Sequence, residues 1–589
     1  MEQKKARKAG IMDILRSPYA HRFFKKYKWS YLLGMAILIV IDSAQTEVPR
    51  IVGQVIDGIK YTTIDESGFA SAIIRMAVIA VLVLAGRIGW RYCIFGAARK
   101  IERDMRNDLF SHLNTLPVSY FHEHNAGEIM AYMTNDIEAV RMTFAATIMM
   151  GLDMITIGVT TLLKMIFQID FRLSLVTVIP LSMVAFVSMF VGREMHKRFT
   201  KRQEVFARVS DFVQEKLSGI KVIKAFVQEE KEIAAFEAVN SESRTANIRD
   251  AKVQAFMFPF MHMIAGCSMA IAIAYGGYIA ILGRITVGDF SAFVQYLNML
   301  VWPIASIGRI INVVTRGSAS LKRVESVLHT ESDIKDALPE IATTEPVKGE
   351  IEARELTFRY PGTDRDVLKD ISFHIEPGQT LGIVGRTGAG KTTLVNLMLR
   401  IIDPDDDMLY IGGREIHTIP LQTLRASTGY VMQDNFLFSD TIRNNIAFGD
   451  HTKSFEEIQQ AAKMACVHDN IVDFPDGYET MVGERGVSLS GGQKQRISIA
   501  RALILDPEIL ILDDALSAVD TDTEEKILEN LKTLRHGKTN VIIAHRISTL
   551  QNADKIIVVD GSRIIEEGNH EELVAQGGMY ADPIPQAAA

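Results

Sequence analysis

Six long apolar runs dominate the first half of the chain, at about 29–58, 69–97, 140–168, 171–198, 252–283 and 288–316. Each is long enough for a helix to cross the hydrocarbon core of a bilayer, which takes roughly 20 residues. The connections after the first, third and fifth runs are short. Those after the second and fourth, about 98–139 and 199–251, are long and polar. The pattern predicts six transmembrane helices.

Basic residues predict the orientation of these helices. The short connections offer little besides Lys60, Arg172 and Arg284. The N-terminus and the long connections hold most of the others, including Arg99, Lys100, Arg103, Arg106, Lys197, Arg198, Lys201, Arg202 and Arg208. Because cytoplasmic loops are the ones enriched in Lys and Arg, we expect both termini and both long connections to be cytosolic, in a multi-pass protein of the cytoplasmic (inner) membrane. The loop asymmetry argues against the alternative, buried core helices of a large soluble protein.

The runs and the polar stretches between them predict the domain organisation. A basic N-terminal segment precedes the first run, and its residues 20–29 suit an amphipathic helix at the inner leaflet rather than a signal peptide. Beyond the sixth run, short apolar strands alternate with helical segments, which is typical of a mostly parallel α/β sheet. We predict an N-terminal segment 1–28, a transmembrane domain 29–324, a linker 325–348, an α/β domain 349–580 and a tail 581–589.

Composition adds little. Of 589 residues, 48% are hydrophobic and 23% charged, and the net charge of −7 gives no reason to expect a nucleic-acid partner. The three cysteines, Cys93, Cys267 and Cys466, lack the spacing of a metal site or a disulfide framework.

A phosphate-binding loop follows the predicted strand 381–384. The residues from Gly385 to Thr392 match G-x-x-x-x-G-K-[ST] and open a predicted helix over 392–399. The glycines allow backbone N–H groups to converge on phosphate, and the helix N-terminus adds partial positive charge. Lys391 can reach the β- and γ-phosphates of ATP, and the Thr392 hydroxyl can ligate Mg²⁺.

A second apolar strand, 509–512, ends in the carboxylates Asp513 and Asp514. Alone, such a strand is weak evidence. About 120 residues after a phosphate loop, it predicts a carboxylate beside the nucleotide, so we expect Asp513 to hold Mg²⁺.

The segment from Leu489 to Gln493, LSGGQ, resembles the signature of ATP-binding-cassette proteins. Further segments resemble other motifs of that family, and they occur in the family's order along the chain. The resemblance implies that Tyr360 stacks on adenine, Gln433 contacts Mg²⁺, Asp520 belongs to the D-loop and His545 is the switch histidine. A lone histidine after a strand is more often structural, but the spacing after Asp513 favours a catalytic role. The resemblance covers essentially the whole chain and implies a six-helix exporter-type membrane domain fused to an α/β P-loop nucleotide-binding domain.

The resemblance also implies a dimer, in which each ATP lies between the Walker motifs of one chain and the signature of the other. We expect catalytic roles for Asp514, His545 and Gln433, and metal ligation by Thr392, Gln433 and Asp513. The residues expected to bind nucleotide are Tyr360, Gly385, Arg386, Thr387, Gly388, Ala389, Gly390, Lys391, Thr392, Thr393, Ser490, Gly491, Gly492, Gln493 and Asp520.

Asp514 departs from the family pattern, which has Glu directly after the Walker B aspartate. The shorter side chain sets the carboxylate back by roughly an ångström, a displacement that can cost about a hundredfold in rate. With its intact signature, the chain resembles the degenerate-site member of heterodimeric bacterial multidrug exporters. A homodimer that tolerates Asp, and an engineered Glu→Asp change, are the alternatives.

Other segments predict how the cassette is coupled to the membrane domain. Residues 119–128 and 218–226 resemble coupling helices, with solvated loops as the alternative reading, and Glu484–Gly486 resembles the exporter-specific segment before the signature.

The membrane runs contain candidate substrate-binding residues. Asp42 and Asp153 lie near the middles of the first and third runs, where each is expected to face substrate or an ion-pair partner such as Arg75 or Arg87. The last two runs are rich in methionine and aromatic residues, whose side chains suit either an apolar substrate cavity or ordinary helix packing. These are Phe256, Met257, Phe258, Phe260, Met261, Met263, Phe290, Phe293, Tyr296, Met299 and Trp302, and we expect His262 to be a packing residue.

These observations predict ATP-driven export of hydrophobic, cationic drugs or other amphiphiles by one half of a heterodimer. The expected partners are a second half-transporter chain, membrane lipid and a hydrophobic small molecule. A lipid or glycolipid flippase shares every motif above. A non-transporting cassette ATPase is disfavoured by the six membrane runs, and a peptide-processing exporter by the short segment before the first of them.

Overall fold

The computed structural model describes residues 14, 16–336, 345, 347–483 and 489–581, without the side chains of residues 184–197, 254, 257, 258, 261, 262, 265 and 305. Predictions for Glu484–Gly486, for the outermost N- and C-terminal residues and for the side chains of Met257, Phe258, Met261 and His262 therefore lie outside the described residues. The chain forms two compact units, residues 1–115 with 124–330 and residues 116–123 with 331–589.

The first unit is helical, with long helices joined by short ones. They are α1 Pro18–Gln45, α2 Val48–Lys60, α3 Glu66–Leu113, α5 Ala126–Ala131, α6 Ile137–Met142, α7 Ile148–Lys164, α8 Phe171–Ser218, α9 Ile220–Ala225, α10 Glu229–Ile271, α11 Gly277–Ile281 and α12 Val287–Leu328. Single π-helical turns join α5 to α6, α6 to α7 and α10 to α11, so 126–169 and 229–281 run as nearly continuous rods. α4, Val118–Glu123, lies in one segment predicted to carry a coupling helix, and α9 lies in the other.

Among the described residues of this unit, four stretches are long and apolar enough to cross a membrane: Pro18–Lys60, Glu66–Leu113, Ala126–Ile169 and Val287–Leu328. Two shorter apolar helices, Phe171–Met183 and Gly266–Ile281, lie within the fourth and fifth predicted runs, where some residues are outside the described set. The first run is interrupted at Thr46 and Glu47, between α1 and α2. The sequence predicted one continuous span there.

The predicted amphipathic segment 20–29 is the beginning of α1, with a kink at Tyr27. Its polar side chains face helix α3 of the same unit. Lys26 Nζ lies 2.6 Å from Asp104 Oδ2, and the Tyr27 hydroxyl donates to the same oxygen at 2.8 Å. Ala20 and Phe23 are fully buried. This segment therefore uses its apolar face for packing within the protein as well as for any contact with lipid.

The second unit contains two sheets. Its strands are β1 Ile351–Phe358, β2 Leu368–Ile375, β3 Thr380–Gly385, β4 Leu409–Ile411, β5 Arg414–Glu415, β6 Thr428–Val431, β7 Ile509–Asp513, β8 Thr539–Ile543, β9 Lys555–Asp560 and β10 Arg563–Gly568. Strands β6 to β9 and β3 form a parallel sheet in the order β10-β9-β3-β8-β7-β6, with β10 antiparallel at its edge. The other sheet, β2-β1-β4-β5, is antiparallel and was not predicted.

The helices of this unit include α13 Lys391–Met398, α14 Leu421–Ala426, α15 Ile442–Ile446, α16 Phe455–Met464, α17 His468–Val472, α18 Gly491–Leu503, α19 Thr521–Leu534, α20 Ile547–Leu550 and α21 His570–Gln576. Alternate residues of the central strands enter different cores: Leu510 and Leu512 join one cluster, while Ile509 and Ile511 join the other. A parallel strand that is buried on both faces has a continuous apolar sequence, and β7 has such a sequence.

The register of the central strands sets the position of the site. Asp513 of β7 is paired with Ile543 of β8, and Ile543 is also paired with Ile383 of β3. Because parallel strands end at the same edge, the residues that follow β3, β7 and β8 meet there. These residues are the phosphate loop, Asp514 and His545.

Candidate functional site

The phosphate loop joins β3 to α13 through two residues in the left-handed backbone region. Gly388 has φ +80° and Gly390 has φ +100°, and a Cβ at Gly390 would lie 2.9 Å from the Val367 carbonyl oxygen. Glycine is therefore needed at position 390 for both conformation and space. The predicted helix starts one residue earlier than expected, at Lys391.

Lys391 is buried under the loop, with 8% of its surface exposed. Its ammonium group donates to the carbonyl oxygens of Gly385 at 2.8 Å and Arg386 at 3.1 Å. Burial lowers the pKa of Lys391, and the carboxylates of Asp513 and Asp514 oppose that shift. The loop thus holds a cation beside its own N–H groups, an arrangement suited to a polyphosphate anion.

Asp513 ends β7 with 1% of its surface exposed. Burial raises the pKa of this carboxyl group, and the hydroxyl of Thr392 partly opposes the shift. Its Oδ2 atom is buried and has no hydrogen-bond partner among the described residues. An orphaned carboxylate oxygen next to the Thr392 hydroxyl and a phosphate-binding loop fits the oxygen ligands that Mg²⁺ prefers.

Asp514 has a left-handed backbone, with φ +47°. Burial raises the pKa of its carboxyl group, and His545 and Lys391 are the largest opposing influences. Asp514 and His545 line one cavity together with Thr387–Thr393, Gln433 and Asp513. The structure therefore brings the predicted catalytic and metal-binding residues, and most of the predicted phosphate loop, to one place.

Tyr360 lies beside the start of α13. Its hydroxyl is 3.1 Å from the Thr393 hydroxyl, and its ring packs edge-on against Phe358 with centroids 5.1 Å apart. The ring is half-buried, so part of its surface remains free for stacking. This position next to the phosphate-loop helix is compatible with the predicted adenine contact.

The signature residues begin a separate helix. Ser490 is the N-cap of α18: its hydroxyl accepts from Gln493 N at 3.3 Å, while the Gln493 side chain accepts from Ser490 N at 3.0 Å. Asp520 likewise caps α19, accepting from Thr523 N at 3.0 Å. None of Ser490–Gln493 is among the described residues that line the phosphate-loop cavity.

Two buried residues near the site were not predicted. Gln495, two positions after the signature, is 5% exposed, and Glu524 of α19 is 4% exposed. Glu524 Oε2 lies 2.7 Å from Arg546 Nη1, and its other oxygen accepts from the Thr549 hydroxyl. The only signal for Gln495 in the sequence was its position two residues after the LSGGQ segment.

In the membrane unit, Arg87, one of the two expected partners, is close enough to Asp42 and Asp153 for an electrostatic interaction but forms no described ion pair with either. Asp42 is 4% exposed, and its carboxyl group lies near that of Asp153. Asp42 Oδ2 also accepts from the Thr156 hydroxyl at 2.9 Å. The Arg87 guanidinium donates to Gln45 Oε1 at 3.3 Å. Helix packing decides this pairing, which hydropathy alone does not reveal.

Two aromatic residues that sequence offered for a substrate cavity belong to the helix core. Phe293 is fully buried and Tyr296 is 1% exposed. The Tyr296 hydroxyl donates to the Thr46 carbonyl oxygen at 3.1 Å, at the break between α1 and α2. Phe256 and Trp302, by contrast, are exposed.

Comparisons with known proteins agree with both units. A family profile described as ABC transporter transmembrane region matches residues 31–304, and one described as ABC transporter matches residues 368–517. A probable multidrug resistance ABC transporter ATP-binding/permease protein of Bacillus subtilis, YheI, is 38% identical over 95% of each chain. An ATP-dependent lipid A-core flippase of Desulfotalea psychrophila is 35% identical over 94% of this chain and 96% of its own.

A solved structure of a bacterial Atm1-family ABC exporter with ATP bound aligns with a TM-score of 0.79 and 25% identity, covering 95% of this chain and 98% of that chain. The predicted fold class and family are thereby confirmed. The chain belongs to the ABC transporter family, as an ATP-hydrolysing membrane exporter whose transmembrane region is fused to its nucleotide-binding domain.

Proposed function

We propose that this chain is one half of a heterodimeric exporter of hydrophobic, cationic drugs in the cytoplasmic membrane, with both termini and the cassette in the cytosol. The observation that carries the proposal is the combination of a complete phosphate loop and signature with Asp514 at the position after the Walker B aspartate. The chain then binds ATP at its own Walker motifs, hydrolyses it slowly there, and completes a faster site on its partner.

The residues around the phosphate loop support ATP binding with Mg²⁺. Lys391 lies at the loop carbonyls, from which its ammonium group can turn to the β- and γ-phosphates. Thr392, Asp513 and Gln433, which line the same cavity, would hold Mg²⁺. A bound Mg²⁺ supplies charge neutralisation at the phosphate oxygens. Tyr360 would orient the adenine ring of ATP.

Slow turnover follows from the position of the Asp514 carboxylate. In phosphoryl transfer the protein contributes mainly positioning and electrostatic stabilisation, so a water held about an ångström out of line reacts slowly. His545 lines the same cavity and can donate a hydrogen bond to the terminal phosphate. ATP therefore remains bound here while the partner's site turns over.

The membrane carboxylates support a cationic substrate. Asp42 and Asp153 face each other on α1 and α7, and Asp153 Oδ1 is buried without a hydrogen-bond partner in the described ranges. Two carboxyl groups this close repel one another when both are ionised, and a cation between them removes that repulsion. Exposed apolar side chains such as Phe256 and Trp302 would contact the rest of an amphiphile.

Lipid or glycolipid flipping is the second candidate, favoured by the similarity to the lipid A-core flippase. Transport by the purified assembly in proteoliposomes separates the two. ATP-dependent movement of a fluorescent lipophilic cation, with labelled lipid moving at the rate of protein-free vesicles, supports drug export. The reverse result supports a flippase. Mass spectrometry of the assembly purified from its native membrane identifies the second chain, and a single chain type would contradict the heterodimer.

A further inference from the structure

Helices α1 and α3 pack against each other in opposite directions. Lys26 Nζ lies 2.6 Å from Asp104 Oδ2, whereas Gly34 approaches Ile94 so closely that a Cβ on the glycine would lie 2.7 Å from Ile94 Cγ1. Residue numbers therefore rise along α1 as they fall along α3. By this register, Trp29 lies near the level of Lys100.

Exposed side chains mark the membrane boundary on both helices. On α1, Trp29 is 74% exposed and is followed by the exposed Leu32 and Leu33. On α3, Tyr92 is 84% exposed and is preceded by the exposed Ile88. Tryptophan and tyrosine are enriched at the membrane–water interface, where apolar surface gives way to lipid headgroups. The polar surface that precedes Trp29 on α1 and lies beyond Tyr92 on α3 is therefore at the headgroup level.

The exposed charged residues at this level are all basic. Residues 18–29 contain no Asp or Glu. Within 25–29 and 98–106, the exposed Lys, Arg, Asp and Glu residues form what we call the basic surface: Lys25, Lys26, Lys28, Arg99, Lys100 and Arg103.

The two carboxylates of this region are buried and are shared between several bases. Asp104, 8% exposed, contacts Lys26 and also Arg103, whose Nη2 lies 2.9 Å from Asp104 Oδ1. Glu102, 5% exposed, contacts Arg99 at 2.9 Å and a second arginine of α3 at 2.8 Å. More than half of the Arg99 and Arg103 side chains remains exposed. Each carboxylate cancels one charge where two or more bases meet, so positive charge is left over at the surface.

Basic residues farther along the same unit have exposed acidic neighbours instead. On α8, Lys201 Nζ lies 3.4 Å from Glu204 Oε2, and Arg208 Nη2 lies 2.5 Å from Glu242 Oε1 of α10. About half or more of each of these side chains is exposed. Charge there is balanced within the chain, whereas the basic surface leaves its charge for an external anion.

We propose that the basic surface binds the headgroups of anionic phospholipids, such as phosphatidylglycerol, in the inner leaflet. The inference uses the proposed cytosolic N-terminus to place the surface at that leaflet. The surface continues directly into the lipid-facing apolar side chains of α1 and α3, so one phospholipid can place its phosphate at the basic residues and its acyl chains along the helices. A soluble anion would use the charges but not the adjoining apolar surface. The Lys28 ammonium lies 5.5 Å from the centre of the Trp29 ring, which holds it at the boundary.

The test compares the association of spin-labelled phosphatidylglycerol and spin-labelled phosphatidylcholine with the purified native assembly in phosphatidylcholine liposomes, by electron paramagnetic resonance. We expect the parent to prefer phosphatidylglycerol several-fold. Lys25→Gln/Lys28→Gln/Lys100→Gln removes three exposed charges and leaves the contacts of Asp104 and Glu102 in place. Because the measurement averages over all lipids around the assembly, this variant should lower the preference by roughly twofold or more.

Lys369→Gln/Lys526→Gln/Lys532→Gln is the matched control, since it removes three exposed lysines of the cassette. It should keep the parent preference. Replacement of the three membrane-boundary lysines by arginine keeps the charge and should also keep it. Millimolar inorganic phosphate, added at constant ionic strength, should leave the preference unchanged.

A parent without preference overturns the inference, as does a glutamine variant that prefers phosphatidylglycerol as strongly as the parent. Loss of the preference on adding inorganic phosphate overturns it too, because the surface would then be a site for a soluble anion. If the triple glutamine variant does not fold, Lys100→Gln decides in its place. A parent without preference that still exports with ATP leaves the proposed function standing, whereas a preference without ATP-driven export contradicts the proposed function alone.

Discussion

The backbone N–H of Asp514 donates a 3.0 Å hydrogen bond to the carbonyl oxygen of Ile543. This contact fixes the residue after β7 to the last residue of β8, two positions before His545. The Asp514 backbone is thereby held at the end of the sheet, and its side chain is one methylene shorter than that of Glu. The left-handed φ of +47° at this position is also one that Asp tolerates better than most residues.

We expect replacement of Lys391, whose ammonium group is buried under the phosphate loop, to weaken nucleotide binding strongly. Lys391→Ala removes a charge-assisted contact with the phosphates, worth about 1.5–3 kcal/mol, so affinity should fall by roughly 10- to 100-fold. Photolabelling of this chain by an azido-ATP analogue measures the change. Lys369→Ala, at an exposed lysine of β2, is the control and should label like the parent. Equal labelling of the Lys391 and Lys369 variants would remove Lys391 from the site.

The carboxyl group of Asp513 predicts a pH-dependent stability. Its pKa is raised by burial, so the nucleotide-free native state binds more protons than the unfolded state and loses stability as pH rises through that pKa. Asp513→Asn should therefore raise the melting temperature of the nucleotide-free cassette above neutral pH, by roughly 2–4 °C for each kcal/mol gained.

The difference between Asp513→Asn and parent should shrink as pH falls, because the parent carboxyl group then takes up its own proton. Asp522→Asn, at an exposed position of α19, should show neither effect. A melting temperature of Asp513→Asn below the parent's at every pH would contradict the assignment of an uncompensated buried carboxylate.

We expect the Asp42–Asp153 pair to make export selective for cationic over neutral substrates. Asp153→Asn should reduce export of a lipophilic cation several-fold more than export of a neutral analogue of similar size, since only the cation interacts with the lost charge. Asp289→Asn is the control, because Asp289 lies in the first turn of α12, where it completes a capping box with Thr286, and it is distant in sequence from the pair. Equal losses for both substrates, with poor membrane expression, would favour a purely structural role for the pair.

Sequence reasoning is strongest where chemistry dictates local pattern. The phosphate loop and the strand ending in Asp513 each combine a residue pattern with a strand or helix boundary, and the observed boundaries lie within about one residue of those predicted. The break at Thr46, the Asp42–Asp153 contact and the Glu524–Arg546 ion pair depend on which element packs against which. Such contacts join residues from about 20 to more than 100 positions apart, and no periodicity in one chain specifies them.

The most direct measurement for the central claim is the drug-stimulated ATPase rate of the native assembly carrying Asp514→Ala. A slow site on this chain contributes little to turnover, so the variant should retain most of the parent rate while this chain still photolabels with azido-ATP. The matched replacement of the partner's catalytic Glu should abolish the rate. If Asp514→Ala itself abolishes turnover, Asp514 serves a full catalytic site and the asymmetric account is wrong.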